Sequence, residues 1–191
     1  YTPLYTLSLH DALPILSDMY RSDTDDPAIL VMREGNSRVF LVRSPGGGTV
    51  PPETVDIQID SHTAFGDGKH PTTELCIDIL GRHLAGIPAG TRKKLTMVDV
   101  GTGSGILAIM ALKLGLGRVD ALDLSPDAAR CARGNAKLNA CDMQVDLCDV
   151  AEFDTGVAYD IVVANMVTDV ITRRVEDLAR LMRDGGTMIA S

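Results

Sequence analysis

The sequence predicts an α/β fold in which helices cover both faces of a mostly parallel, doubly wound sheet, preceded by a small β-rich N-terminal appendage. Two observations indicate this class. From residue 95 onward, segments with strand and helix patterns alternate along the chain. The predicted strands are continuous apolar runs, which is typical of parallel strands that are buried on both faces. A length of 191 residues is enough for one such domain with a sizeable core.

The appendage is predicted from residues 29–33 and 38–43, which are rich in strand-forming side chains and are joined by the turn sequence EGNS as a hairpin. A linker of Gly and Pro follows at 46–52, and the alternating sequence VDIQI at 55–59 predicts another strand. We interpret residues 16–52 as a partial N-terminal β segment with its linker, and residues 53–191 as the main domain.

The main domain contains the alternating elements. A helix is predicted over 71–84, with Pro71 in its first turn. Its apolar stripe comprises Leu75, Cys76, Ile79 and Leu80. Strands are predicted at 95–100, 119–123, 143–147, 161–164 and from 188 onward, and helices at 104–116, 126–138 and 169–182. The sequence DGG at 184–186 predicts a turn before the last strand.

Both ends of the sequence carry unusual features. Residues 5–15, YTLSLHDALPI, resemble one reading frame of a commonly used sequencing adapter. We therefore interpret residues 1–15 as an assembly artefact and leave them out of the functional reasoning. The last predicted strand stops at Ser191 and would leave an unpaired sheet edge, so we expect the main domain to be incomplete at its C-terminal end.

Composition excludes several classes of protein. Hydrophobic residues make up 45% of the chain, too many for continuous disorder, and no apolar run approaches the roughly 18 residues that span a bilayer. A net charge of −8 argues against broad binding to nucleic acid phosphates but suits a basic protein or a cationic cofactor. The four cysteines form no CxxC pair, so we expect reduced thiols in a cytoplasmic protein, with no metal site and no membrane association.

A glycine-rich loop is the most informative motif. Gly101, Gly103 and Gly105 follow directly on a buried predicted strand and open a helix in the sequence VDVGTGSGILAI. Glycines at such a junction let the backbone turn sharply and approach a ligand where side chains would block it. The next predicted strand ends at Asp123, 22 residues after Gly101, where a carboxylate can accept hydrogen bonds from both hydroxyls of a ribose. Together these features predict a nucleoside cofactor.

The spacing of the glycines favours one cofactor over another. A dinucleotide fingerprint needs GxGxxG, whereas here the third glycine comes one position early and Ile106 occupies its place. The GxGxG spacing, together with Asp99 near the end of the preceding strand, favours S-adenosylmethionine over a nicotinamide. A nicotinamide-binding oxidoreductase and a non-catalytic nucleoside-binding module stay open as alternatives.

Three motifs together carry a family resemblance. They are AFGDGKHPTT at 64–73, DVGTGSGILAI at 99–109 and ANMV at 164–167. The combination closely resembles the bacterial methyltransferases of large-subunit ribosomal protein eleven, whose hallmarks are AFGTGxHPTT, DxGCGSGILAI and ANIL. The resemblance covers residues 60–191 well and earlier residues poorly.

The resemblance implies a Rossmann-like class I methyltransferase fold and an S-adenosylmethionine-dependent enzyme that methylates lysine or N-terminal amines of a ribosomal protein. It implies a cofactor site at Thr73, Gly101, Gly103, Asp123 and Asn165, with Asn165 also as the catalytic residue. The implied partner is a basic ribosomal protein, with no direct contact to nucleic acid or membrane, and we expect a cytoplasmic monomer. Such a methyl transfer is an in-line displacement that needs no metal.

Departures from the family pattern concern the acceptor. Asp67 replaces Thr in the first motif, Thr102 replaces Cys in the glycine loop, and Met166-Val167 replace Ile-Leu. We expect these changes to permit cofactor binding and to be capable of altering the acceptor. The substrate-recognition domain of the family is reduced here to at most residues 16–52, so a related methyltransferase with another protein or small-molecule acceptor is the alternative function.

Several polar residues are interpreted without a catalytic role. We expect His70, next to the first motif, to be a polar side chain that faces water. The runs Arg92-Lys93-Lys94 and Arg173-Arg174 are interpreted as a solvated loop and a solvated helix face.

Overall fold

The computed structural model describes residues 30–34, 38–46, 50, 54–60 and 70–191. The predictions for residues 1–29 therefore lie outside the described residues, as do the hairpin turn and most of the linker. Most of the first family motif, including Asp67, also lies outside them. None of the helices among the described residues has both the length and the hydrophobicity of a bilayer-spanning segment.

The N-terminal strands form a small sheet. β1 (Leu30–Glu34) and β2 (Arg38–Arg43) pair antiparallel, which confirms the two strands of the predicted hairpin. β3 (Thr54–Gln58) lies parallel to β2 on its other side. The buried guanidinium of Arg43 makes two hydrogen bonds to the carboxylate of Asp56, at 2.7 and 2.8 Å, and so joins the end of β2 to the middle of β3.

The remaining elements alternate along the chain as predicted. In order they are α1 (Pro71–Ala85), α2 (Ala89–Arg92), β4 (Thr96–Val100), α3 (Ile106–Lys113), β5 (Arg118–Asp123), α4 (Pro126–Leu138), β6 (Gln144–Leu147), β7 (Tyr159–Ala164), α5 (Thr168–Leu181) and β8 (Met182–Ala190). Within the described residues, these strands form a five-stranded parallel sheet in the order β6-β5-β4-β7-β8. The chain starts at the central strand, moves to one edge and returns to the other side, so the predicted doubly wound topology is confirmed.

The three central strands of the large sheet, β4, β5 and β7, are buried on both faces. Odd-numbered side chains, Met97 and Val163 among them, pack in one core with α1, α3 and α4. Even-numbered side chains, such as Val98 and Val162, pack in a second core with α5. All four are fully buried. This arrangement explains why the strand sequences are continuously apolar rather than alternating.

The predicted apolar stripe of α1 was half wrong. Cys76 and Leu80 are buried, but Leu75 and Ile79 are 51% and 40% exposed. The buried face instead comprises Thr73, Cys76, Ile77, Leu80, Gly81 and Leu84. Apolar residues occur around more than half of this helix, so hydrophobicity alone does not select the buried face. The packing of α1 against α3 and β8 selects it.

The predicted turn at 184–186 was also wrong. β8 already begins at Met182, opposite Tyr159, and its next partner pair is Ile161 with Thr187. The extra residues between these pairs form a bulge, in which Gly185 adopts a φ of 73°. The bulge lets the strand continue in the same direction.

Candidate functional site

A cavity of about 460 Å³ opens at the carboxyl ends of β4, β5 and β7. In open α/β sheets, ligands bind outside these ends at the point where the strand order reverses. The cavity is lined by four of the five predicted site residues, namely Gly101, Gly103, Asp123 and Asn165. The other lining residues are Val100, Leu122, Leu124, Ser125, Ala128, Cys148, Asp149, Val150, Met166, Val167, Val170 and Arg174.

The three glycines of the loop have different roles. All have positive φ, at 72°, 55° and 83° for Gly101, Gly103 and Gly105, which explains the absence of side chains. A Cβ on Gly105 would lie 3.2 Å from the Cβ of Ala132, so this glycine allows α3 and α4 to pack closely. A Cβ on Gly101 would lie 2.8 Å from the side chain of Met166, at the cavity wall. The first two glycines therefore shape the cavity, and the third shapes the helix packing beside it.

The carboxylate of Asp123 holds the glycine loop in place. One oxygen accepts a hydrogen bond from the backbone N–H of Gly103 at 3.0 Å, and the other accepts from the N–H of Ser125 at 2.8 Å. A carboxylate has about four acceptor positions, so these two bonds leave capacity for two further donors. Since Asp123 also lines the cavity, its carboxylate can bind two hydroxyl groups there.

Thr73 reaches the site through Asn165. The side-chain N–H of Asn165 donates to the hydroxyl of Thr73 at 3.1 Å, and Thr73 is fully buried in the first turn of α1. His70 caps that helix, because its Nδ1 accepts from the N–H of Thr72 at 3.3 Å. The exposed position predicted for His70 is confirmed. Thr73 thus fixes the orientation of Asn165 without lining the cavity itself.

Asp99 lies beneath the glycine loop and is buried. The hydroxyl of Thr102 donates to its Oδ2 at 2.7 Å. Burial raises the pKa of Asp99 from 3.8 to about 6, and the nearby charge of Asp123 adds to this rise, while hydrogen bonds from Thr102 and the N–H of Ala108 oppose it. The Thr that departs from the family pattern is therefore a hydrogen-bond donor to a buried carboxyl group.

Asp99 is expected to make the folded state less stable as the pH rises from 5 to 7. The pKa of Asp99 is higher in the folded state than in the unfolded state. Its protonation therefore contributes fully to the free energy of unfolding below about pH 4, and this contribution is lost as the pH passes through 6. The full loss is about 3 kcal/mol, of which about 1 kcal/mol falls between pH 5 and pH 7. Urea unfolding at pH 5, 6 and 7 measures the free energy of unfolding. Between pH 5 and pH 7 it should decrease less for Asp99→Asn than for the wild type. An equal decline in both proteins would contradict this assignment, and Asp127→Asn, at an exposed carboxylate, serves as the control.

Two charged residues that line the cavity were not identified from the sequence. Arg174 was interpreted as part of a solvated helix face, but its Nη2 donates to the carboxylate of Asp149 at 2.6 Å and both residues line the cavity. Asp149 also accepts from the N–H of Ala151 at 2.9 Å. Asp149 follows β6 as Asp123 ends β5, and this regularity was the available signal. For Arg174 there was no local signal, because its partner is 25 residues away.

The strand order, the GxGxG loop and the carboxylate at the end of the second sheet strand define a Rossmann-like domain of the class I methyltransferase type. The model of the ribosomal protein L11 methyltransferase (PrmA) family matches residues 36–191. The chain belongs to this family. Membership argues against the nicotinamide-dependent oxidoreductase.

Similar proteins carry the same family name. The ribosomal protein L11 methyltransferase of Dictyoglomus thermophilum is 37% identical over 156 residues, which are 81% of this chain and 48% of that protein. The one from Pelotomaculum thermopropionicum is 44% identical over 137 residues, 71% of this chain and 42% of that protein. The chain thus spans about half the length of the curated relatives it matches.

A solved structure shares the fold. The crystal structure of the ribosomal protein L11 methylase from Lactobacillus delbrueckii subsp. bulgaricus is similar with a TM-score of 0.67 and 30% sequence identity. The similarity covers 84% of this chain and 79% of that one.

Proposed function

We propose that this chain is the S-adenosylmethionine-binding part of a protein methyltransferase that acts on lysine or N-terminal amines of large-subunit ribosomal protein L11. The observation that carries the proposal is the meeting of Gly101, Asp123 and Asn165 at one cavity in a chain of this family. Residues 53–191 would hold the cofactor, and residues 16–52 would be what this chain retains of the substrate-binding part.

The cavity suits a nucleoside. Asp123 would bind the ribose hydroxyls with its remaining acceptor capacity. The glycine loop would let the cofactor approach the backbone at Gly101 and Gly103. Apolar side chains beside Asp123, those of Leu124 and Val150, would pack against a flat base.

Asn165 would orient the acceptor amine. When bound, S-adenosylmethionine supplies a methyl group that is activated by its positive sulfur. The N–H of Asn165 is directed to Thr73, which leaves its side-chain carbonyl oxygen available to accept a hydrogen bond from an incoming amine. Removal from water favours the neutral amine over the ammonium ion. The main contribution of these residues is to hold the reacting atoms in line.

The test is transfer of labelled methyl groups from S-adenosylmethionine to purified protein L11. We expect label on lysine or the N-terminal amine, and Asn165→Ala should lower kcat about 10- to 100-fold because the amine loses its orienting partner. Thr73→Val removes the hydroxyl that holds Asn165 but keeps the side-chain shape, so a smaller decrease is expected. Absence of both cofactor binding and label transfer in the wild-type protein would refute the proposal.

A related methyltransferase with another acceptor is the second candidate. Met166 and Val167, which depart from the family motif, both line the cavity, and Val167 is 72% exposed. At the mouth of the cavity, these two side chains would contact the methyl acceptor. Labelling of another protein or a small amine in preference to L11 would favour this candidate.

The proposal extends to partners and location. With a net charge of −8, the protein suits a basic ribosomal protein and not the phosphates of nucleic acid. We propose a monomer that acts in the cytoplasm and binds no nucleic acid directly. Size-exclusion chromatography with light scattering tests the monomer.

A further inference from the structure

Two asparagines, one in α4 and one at its C-terminal cap, bind the backbone at the end of β3. Asn135 and Asn139 are one helical turn apart and are 1% and 5% exposed. Asn139 accepts a hydrogen bond from the N–H of Gln58 at 2.9 Å and donates to its carbonyl oxygen at 2.7 Å. Asn135 does the same with Asp60, at 2.9 and 3.0 Å.

This double pairing has a geometric reason. Four residues of a helix rise about 6 Å, and two residues of an extended chain span about 6.6 Å. Two side-chain amides on one helix face can therefore replace a neighbouring strand for residues 58 and 60. The pairing attaches the end of β3 to α4, a helix of the large sheet.

Asn135 makes a contact with the glycine loop that Asn139 does not share, besides a long contact of its Nδ2 with the sulfur of Cys131 at 3.5 Å. Its Nδ2 also donates to the carbonyl oxygen of Ser104 at 2.8 Å. Ser104 is fully buried and lies between Gly103 and Gly105 in the glycine loop. The further bond of Asn139 goes back to its own helix, to the carbonyl oxygen of Asn135 at 2.8 Å. Asn135 therefore joins the chain after β3 directly to the loop that shapes the cavity.

We infer that Asn135 is a positioning residue that couples the segment ending at Asp60 to the glycine loop, so that affinity for the nucleoside cofactor depends on it. The inference rests on the proposed function. The loop conformation needs positive φ angles at three glycines. Glycine adopts positive and negative φ about equally readily, so the loop does not favour this conformation by itself. The bond to Ser104 selects this conformation on one side of the loop, as the bond from Gly103 to Asp123 does on the other.

The experiment compares Asn135→Ala with Asn139→Ala in the full 191-residue chain. Both variants remove two hydrogen bonds to the backbone of residues 58–60, but only Asn135→Ala removes the bond to Ser104. Calorimetric titration with S-adenosylmethionine should give a Kd raised about 10-fold for Asn135→Ala and at most about 2-fold for Asn139→Ala. Equal effects in the two variants would overturn the inference.

Amide hydrogen exchange in the ligand-free protein provides a readout that does not depend on cofactor binding. Asn135→Ala should speed exchange at Gly103 and Gly105, whereas Asn139→Ala should speed it at Gln58 and leave the loop unchanged. If the wild type binds no S-adenosylmethionine, the proposed function fails, and exchange rates still decide whether Asn135 holds the loop. Unchanged loop exchange in Asn135→Ala would overturn the coupling.

If Asn135→Ala does not fold, amide exchange in the wild-type protein tests the coupling instead. Binding of S-adenosylhomocysteine should slow amide exchange at Asp60 together with the glycine loop, and more than at Gln58. Protection confined to the loop would contradict the coupling.

Discussion

Replacement of Asp123 by alanine is expected to weaken binding of S-adenosylmethionine about 100-fold. The variant loses the acceptor of two ribose hydroxyls, and at the low end of the range for hydrogen bonds to charged groups, about 1.5 kcal/mol each, this amounts to about 3 kcal/mol. It also loses the bond that holds the N–H of Gly103 in the cavity wall. Calorimetric titration of the purified variant measures the change in Kd.

Asp127→Ala is the matched control for Asp123→Ala. Asp127 lies four residues further along, in the first turn of α4, and forms an exposed ion pair with Arg130. Its removal changes the net charge equally but leaves the cavity intact, so Kd should change less than about 2-fold. A similar loss of affinity in both variants would mean that overall charge, and not the position of Asp123, governs binding.

Gly117→Ala is expected to lower the free energy of unfolding by about 3 kcal/mol. Gly117 precedes β5, where its N–H donates to the carbonyl oxygen of Leu95 at 3.2 Å. A Cβ at this position would overlap the backbone carbonyl oxygen of Lys93. Backbone atoms cannot rotate away as a flexible side chain can, so the chain segments before β4 and β5 would have to separate. Urea unfolding followed by circular dichroism measures the loss.

The control for this substitution is Gly134→Ala. Gly134 lies inside α4, and a Cβ there meets no described atom within 4 Å. Since alanine favours a helix over glycine by about 1 kcal/mol, this variant should be slightly more stable than the wild type. A loss at Gly117 no larger than a few tenths of a kcal/mol would show that the backbone near Lys93 moves freely.

The sequence predicted those features of the site that depend on neighbours in the chain. Gly101 and Gly103 follow β4 and Asp123 ends β5, so their place at the carboxyl edge of a parallel sheet follows from the order of elements. Asn165 follows β7 in the same way. The assignment of these residues to a cofactor stays a prediction until binding is measured.

Local sequence patterns are enough to predict the alternation of strands and helices, the parallel sheet and the glycine loop, because each depends on local periodicity or on backbone angles that few residues adopt. Tertiary structure alone decided which face of α1 is buried, that Arg174 turns toward Asp149, and that Asn135 joins Asp60 to Ser104. The hydrogen bonds of Arg174 and Asn135 join residues 25 to 75 positions apart. For each of these groups the sequence offers several polar side chains that could form the hydrogen bond. Only the packing of the helices on the sheet brings one particular pair within hydrogen-bond distance.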